Sequence, residues 1–125
     1  MKKIALVEDN PDNRMLISIL LEDEYEMVEF EDGPSAVEGM ADEKPDLVLL
    51  DISLPGMDGP DVLKHLRSDP RTMGLPMIAL TAHAMVGDRA HYLSLGFDGY
   101  VSKPIVDEQI LLDEIEGLLE MREAC

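Results

Sequence analysis

The chain has 125 residues, which is the size of one domain, and its 27 acidic against 10 basic side chains give a formal net charge of −17. Such a surface repels DNA, RNA and anionic lipid, which argues against direct nucleic-acid or membrane binding. A second folded unit has no room, so residues 1–125 are expected to form a single domain with no output domain.

MKKIALV begins like a signal peptide, but Glu8 and Asp9 end its apolar run far too early. No stretch is long enough to span a membrane, and the lone cysteine, Cys125, has no partner within the chain. The expected setting is the cytoplasm. Ile4 to Val7 reads as the first strand. A helix follows over 11–24, with Asn10 as its cap, Pro11 at the first helical position, and Leu16, Ile19 and Leu20 on one inward face. On that assignment Ile17 and Leu21 are surplus apolar positions, exposed to a partner, as is Ile110 further on. The remaining strands are Met27 to Phe30, Leu47 to Leu50, Met77 to Leu80 and a weaker Gly99 to Val101. Helices fall at 34–43, 58–68, 86–95 and 107–122, the last with Leu111, Ile115, Leu118 and Leu119 inward. Met15, Met40, Met77 and Met85 read as core or gap-filling residues, His65 and His91 as surface, and the acid runs at 22–26 and 113–123 as solvated faces.

Strict alternation of strand and helix predicts an α/β fold, a three-layer doubly wound parallel sheet. In such sheets the site lies beyond the carboxyl ends of the strands. After IALV come Glu8 and Asp9; after LVLL, Asp51; after MIAL, Thr81; after GYVS, Lys103. Three converging carboxylates repel each other unless a cation neutralises them, and an all-oxygen set suits a hard divalent ion, Mg²⁺. Asp9 and Asp51 are the expected direct ligands, with Glu8 acting directly or through water and the main-chain carbonyl of Ser53 completing the set. With no cysteine or histidine in the cluster, zinc is disfavoured. Asp51 then serves as a nucleophile that forms an aspartyl phosphate, while Lys103 and the Thr81 hydroxyl stabilise the transferred group.

At these residues the chain resembles the receiver domain of bacterial two-component response regulators. VEDN at 7–10, LLDISLPGMDG at 49–59, LTAHAM at 80–85 and GYVSKP at 99–104 carry the likeness, which covers the whole chain. The general pattern is most similar to single-domain cell-cycle regulators and to the receivers of hybrid kinases. The resemblance implies five parallel strands in the flavodoxin-like order 2-1-3-4-5, which is also that of the chemotaxis receiver. It implies Asp51 as phosphoacceptor, Glu8 and Asp9 as the acidic pair, Thr81 and Lys103 in the roles above, and Tyr100, three residues before the lysine, as a switch aromatic. Glu8 stands where many relatives have aspartate. Ser53 and His83 take positions that govern phosphoryl lifetime in the family, while His83 as a general base is the weaker reading of a lone loop histidine.

The implied partners are a sensor histidine kinase or histidine phosphotransfer protein, and a downstream protein reached through residues 85–115. The chain would be a monomer or weak dimer, and no enzyme in the usual sense: a phosphoacceptor that assists its own phosphoryl transfer and slow self-dephosphorylation. Alternatives are a receiver fragment of a larger hybrid kinase and a dehalogenase-like Mg²⁺-dependent phosphatase. The latter wants a second aspartate where Ser53 stands. A flavodoxin-type FMN binder is disfavoured because EDNPDN would repel a phosphate, and no GxxxxGK[ST] is present for nucleotide hydrolysis.

Overall fold

The computed structural model describes residues 2–82, 88–103, 105 and 107–124. His83, Met85 and Cys125 therefore lie outside the described residues. Five strands, β1 (Lys3–Val7), β2 (Glu26–Phe30), β3 (Leu47–Asp51), β4 (Met77–Thr81) and β5 (Gly99–Ser102), form one parallel sheet in the order β2-β1-β3-β4-β5. Helices α1 (Pro11–Leu21), α2 (Gly33–Glu43), α3 (Gly59–Ser68), α4 (Asp88–Leu95) and α5 (Glu108–Ala124) alternate with them. The expected fold is therefore the observed one. Every residue of β3 and β4 is buried, as a sheet covered on both faces requires, whereas the edge strand β2 is only partly buried.

Alternation along the strands divides the core in two. Ile4, Leu6, Leu47, Leu49, Ile78, Leu80 and Val101 face Ile17 and Leu21 of α1 and Leu111, Ile115 and Leu119 of α5. Ala5, Val7, Val48, Leu50, Met77 and Ala79 face Ala36 and Met40 of α2 and Val62, Leu63 and Leu66 of α3. Pairing of Val7 with Leu50, of Asp51 with Leu80 and of Thr81 with Ser102 aligns the carboxyl ends of four strands along one edge. No helix among the described residues is long and apolar enough to cross a membrane.

Two expectations for α1 are corrected. Ile17 and Leu21 are its buried residues, while Leu16 and Ile19 are exposed, Leu20 is half-buried, and Met15 is at the surface rather than in the core. Six of the seven residues in MLISILL are apolar, which leaves little periodic contrast to select a face; packing between the sheet and α5 selects it. The helix also stops at Leu21 instead of residue 24, because Glu22, Asp23 and Glu24 place negative charge at the negative end of its dipole. Elsewhere Met40 and Met77 are buried, Ile110, His65 and His91 are exposed, and Leu118 is half-buried.

Away from the carboxyl edge, Arg67 at the end of α3 donates to the carbonyls of Met73 (2.8 Å), Leu75 (2.6 Å) and Gly96 (3.0 Å) and to Asp98 Oδ2 (2.8 Å). Asp98 Oδ2 also accepts the N–H of Met77 at 2.9 Å, so one guanidinium joins α3 to the entries of β4 and β5.

The loop from Asp51 to α3 depends on two glycines. Gly56 has φ +77°, a left-handed conformation that an L side chain resists. Gly59 donates to the Ile52 carbonyl at 3.0 Å, and a Cβ there would lie 2.5 Å from the Asp51 carbonyl oxygen and 2.8 Å from Ile52 Cα. We expect Gly59→Ala to cost about 1–3 kcal/mol in urea unfolding, since backbone must move. Gly117→Ala in α5, where a Cβ meets nothing within 4 Å, should instead stabilise by up to about 1 kcal/mol. Equal effects at the two sites would refute the close-approach argument.

Candidate functional site

β1 continues directly into the first acid of the crevice. The Glu8 N–H extends the ladder to the Phe30 carbonyl at 3.1 Å, and the side chain is fully buried. Asp9 follows, exposed, before Asn10 caps α1 by accepting the N–H groups of Asp12 (2.9 Å) and Asn13 (3.2 Å). Asp51 ends β3 with 2% of its surface exposed, and its Oδ1 accepts the Ser53 N–H at 3.0 Å. One strand further, the Lys103 N–H donates to the Thr81 carbonyl at 2.7 Å, continuing the register of β4 and β5. That register carries the Lys103 ammonium to 3.0 Å from Glu8 Oε1 and 3.1 Å from Asp51 Oδ2.

Carboxylate oxygens of Glu8, Asp9 and Asp51 lie within 4.8 Å of one another. Two buried carboxyls share one ammonium, so both cannot ionise cheaply. Burial, reinforced by Asp51 and only partly offset by Lys103, pushes Glu8 up from 4.5 to about 7. Burial works against the charged form of Asp51 too, but the Glu8 carboxyl, the Ser53 N–H and Lys103 outweigh it, and Asp51 lies below the ordinary aspartate value. Lys103 is likewise opposed by burial yet raised, because Glu8 and Asp51 hold its proton. Of the two, Glu8 is the carboxyl pushed toward its protonated form and Asp51 the one pushed toward its charged form. Glu8 Oε2 is buried without a hydrogen-bond partner. An oxygen-only donor set with one unsatisfied buried oxygen fits a hard divalent cation.

The remaining expected residues divide. Thr81 is buried at the end of β4, beside Asp51 in the sheet. Ser53 is exposed, and the group seen to engage Asp51 is its main-chain N–H. Tyr100, half-buried, stacks on Tyr92 of α4 with centroids 5.8 Å apart and planes at 18°, while Tyr92 meets Phe97 edge-on at 6.1 Å. Arg14, which the sequence reading passes over, belongs to the same neighbourhood. Its Nη1 donates to the Glu8 carbonyl at 2.9 Å, and its Nε is 3.5 Å from Glu29 Oε1. The available signal was its place four residues beyond the cap of α1, within VEDNPDNR.

Residues 4–116 match the family model described as response regulator receiver domain. The chain is 40% identical over 112 residues to the sensor protein GacS of Pseudomonas syringae pv. syringae, covering 86% of this chain and 12% of that protein. It is 39% identical over 105 residues to the polar-differentiation response regulator DivK of Brucella anthropi, covering 83% of this chain and 85% of that protein. The receiver domain of the sensor histidine kinase PA1611 from Pseudomonas aeruginosa PAO1, solved with a magnesium ion coordinated in its active-site cleft, superposes with a TM-score of 0.85 at 32% identity over 95% of this chain and 98% of that one.

The raised Glu8 value dictates a pH dependence. A carboxyl that binds its proton more tightly when folded contributes stability that is complete below 4.5 and lost as pH rises through about 7. The Asp51 and Lys103 shifts act below 3.8 and above 10.5, outside that interval. With divalent ions chelated, the protein should therefore lose about 3 kcal/mol from this group between pH 5 and pH 8 in urea unfolding. Glu8→Gln should flatten that slope and be the more stable form at pH 8. An identical slope in the two proteins would remove Glu8 as its source.

Proposed function

The chain belongs to the response regulator receiver domain family of two-component systems, and from that premise we propose that Asp51 accepts a phosphoryl group from a phosphohistidine on a sensor histidine kinase or histidine phosphotransfer protein. The observation that carries the assignment is the buried Asp51 carboxyl, fixed through Oδ1 by the Ser53 N–H and through Oδ2 by Lys103. An Asp51 oxygen forms the new bond to phosphorus as the bond from phosphorus to the imidazole nitrogen breaks. The departing nitrogen keeps the electron pair. Lys103 then lies within reach of the phosphoryl oxygens and the Thr81 hydroxyl offers a further donor. Asp9, Asp51, Glu8 and the Ser53 carbonyl would hold Mg²⁺, which supplies charge neutralisation for the transferred group.

Ser53 and His83 would set how water reaches the acyl phosphate, and so its slow self-hydrolysis. For the output, Thr81 is drawn toward the phosphoryl group and Tyr100 leaves its stack on Tyr92, altering a face within residues 85–115 that a downstream protein reads. Cytoplasmic signalling through protein contacts is the setting this chemistry suits.

A small phosphoramidate should label Asp51 and only with Mg²⁺ present, as read by mass analysis of peptides. Asp51→Asn should lose the label, and Asp9→Asn should weaken Mg²⁺ binding by an order of magnitude or more. Thr81→Ala should accept phosphate yet show attenuated amide shifts across residues 88–115. Labelling of Asp51→Asn at the parent rate would overturn the acceptor assignment.

A further inference from the structure

Of the three clustered acids, Glu8 and Asp51 are buried within strand register, whereas Asp9 is exposed in the turn between β1 and α1. An exposed side chain on a turn must have its backbone fixed by something, or it gives up ordering entropy whenever it acts. The Arg14 side chain supplies that fixation on the β1 side of Asp9. It donates to the carbonyl of Glu8, the residue before, at 2.9 Å. On the other side, the carbonyl of Asn10, the residue after, is held by the first turn of α1, accepting the main-chain N–H of residue 14 at 2.9 Å as in any helix. Because the Glu8 N–H is itself bonded to Phe30, both main-chain polar groups of Glu8 are held. The guanidinium is aimed by Glu29 on the neighbouring strand β2, at 3.5 Å, with the arginine side chain 22% exposed and the glutamate 44%. The planar fork thus joins the residue preceding Asp9 to β2, which a lysine ammonium cannot reproduce.

We propose that Arg14 is a positioning residue for cation binding: it sets the backbone from which Asp9 presents its carboxylate, and Glu29 keeps the guanidinium in line. This rests on the reading of Asp9 as a Mg²⁺ ligand. Arg14 touches neither the cation nor the phosphoryl group, so its influence runs through the Glu8–Asp9–Asn10 backbone.

Mg²⁺ titration of the full chain, followed by amide shifts and calorimetry with urea unfolding alongside, tests it. Arg14→Gln should weaken Mg²⁺ binding about tenfold, and with divalent ions chelated should already move the amide signals of Glu8, Asp9 and Asn10. Glu29→Gln should act in the same direction more weakly, and the double variant should be no worse than Arg14→Gln alone, since both remove one device. Arg14→Lys should recover part of the affinity through a single hydrogen bond. Ile17→Val, which loosens buried α1 packing without touching the turn, is the control for a merely structural role and should leave Mg²⁺ affinity unchanged at comparable stability. Parent affinity in Arg14→Gln while Asp9→Asn loses it, or equal losses in Arg14→Gln and Ile17→Val, would overturn the proposal. Parent affinity in Asp9→Asn would instead overturn the ligand reading beneath it.

Discussion

The structure turns on an imbalance of charge: two buried carboxyls, Glu8 and Asp51, on a single ammonium, Lys103, at 3.0 and 3.1 Å. A lone buried carboxylate is costly, and a second beside it is prohibitive without a proton or a further cation. The protein resolves the conflict asymmetrically. Asp51 has the Ser53 N–H in addition to Lys103 and is favoured in its charged form, whereas Glu8 is pushed toward its protonated form and leaves one oxygen unsatisfied. On the function proposed above, the same arrangement would serve as a receptor for positive charge and as a poised nucleophile.

Holding like charges together demands a stiff frame, and the fold provides it by taking each group from a different strand end. Residues 8, 51 and 103 are far apart in sequence, but each follows a run whose register is fixed by backbone ladders on neighbouring strands. The two apolar layers on either side of the sheet contribute the burial that offsets this electrostatic cost. Gly59 packs against the Asp51 backbone and seals the loop leaving the site, so Asp51 is buttressed from its own main chain as well as from its side chain.

Much of this was legible in the residues. Uniformly apolar runs ending in acids, a threonine and a lysine identified both the sheet and the edge where the polar groups meet, because burial on both faces leaves a strand little freedom of composition. What stayed hidden is of a different kind. The inward face of α1 was misassigned because MLISILL is apolar on every side, so tertiary packing alone decided it. Arg14 escaped notice because its partner is a main-chain carbonyl, which every residue possesses and no sequence pattern marks. The stacking of Tyr100 on Tyr92 depends on how α4 lies over β5, a matter of helix placement rather than residue type.

Arg67 has a mechanical consequence. By gripping the Gly96 carbonyl and Asp98, it ties the segment just beyond α4 to the end of α3, and through Asp98 to the first residue of β4. A rod clamped at one tip does not slide when it is pushed; it swings. Any displacement of α4 that begins near the carboxyl edge of the sheet is therefore converted into a tilt about this distant pivot, and the angle, more than the distance, becomes the quantity a neighbouring molecule would sense.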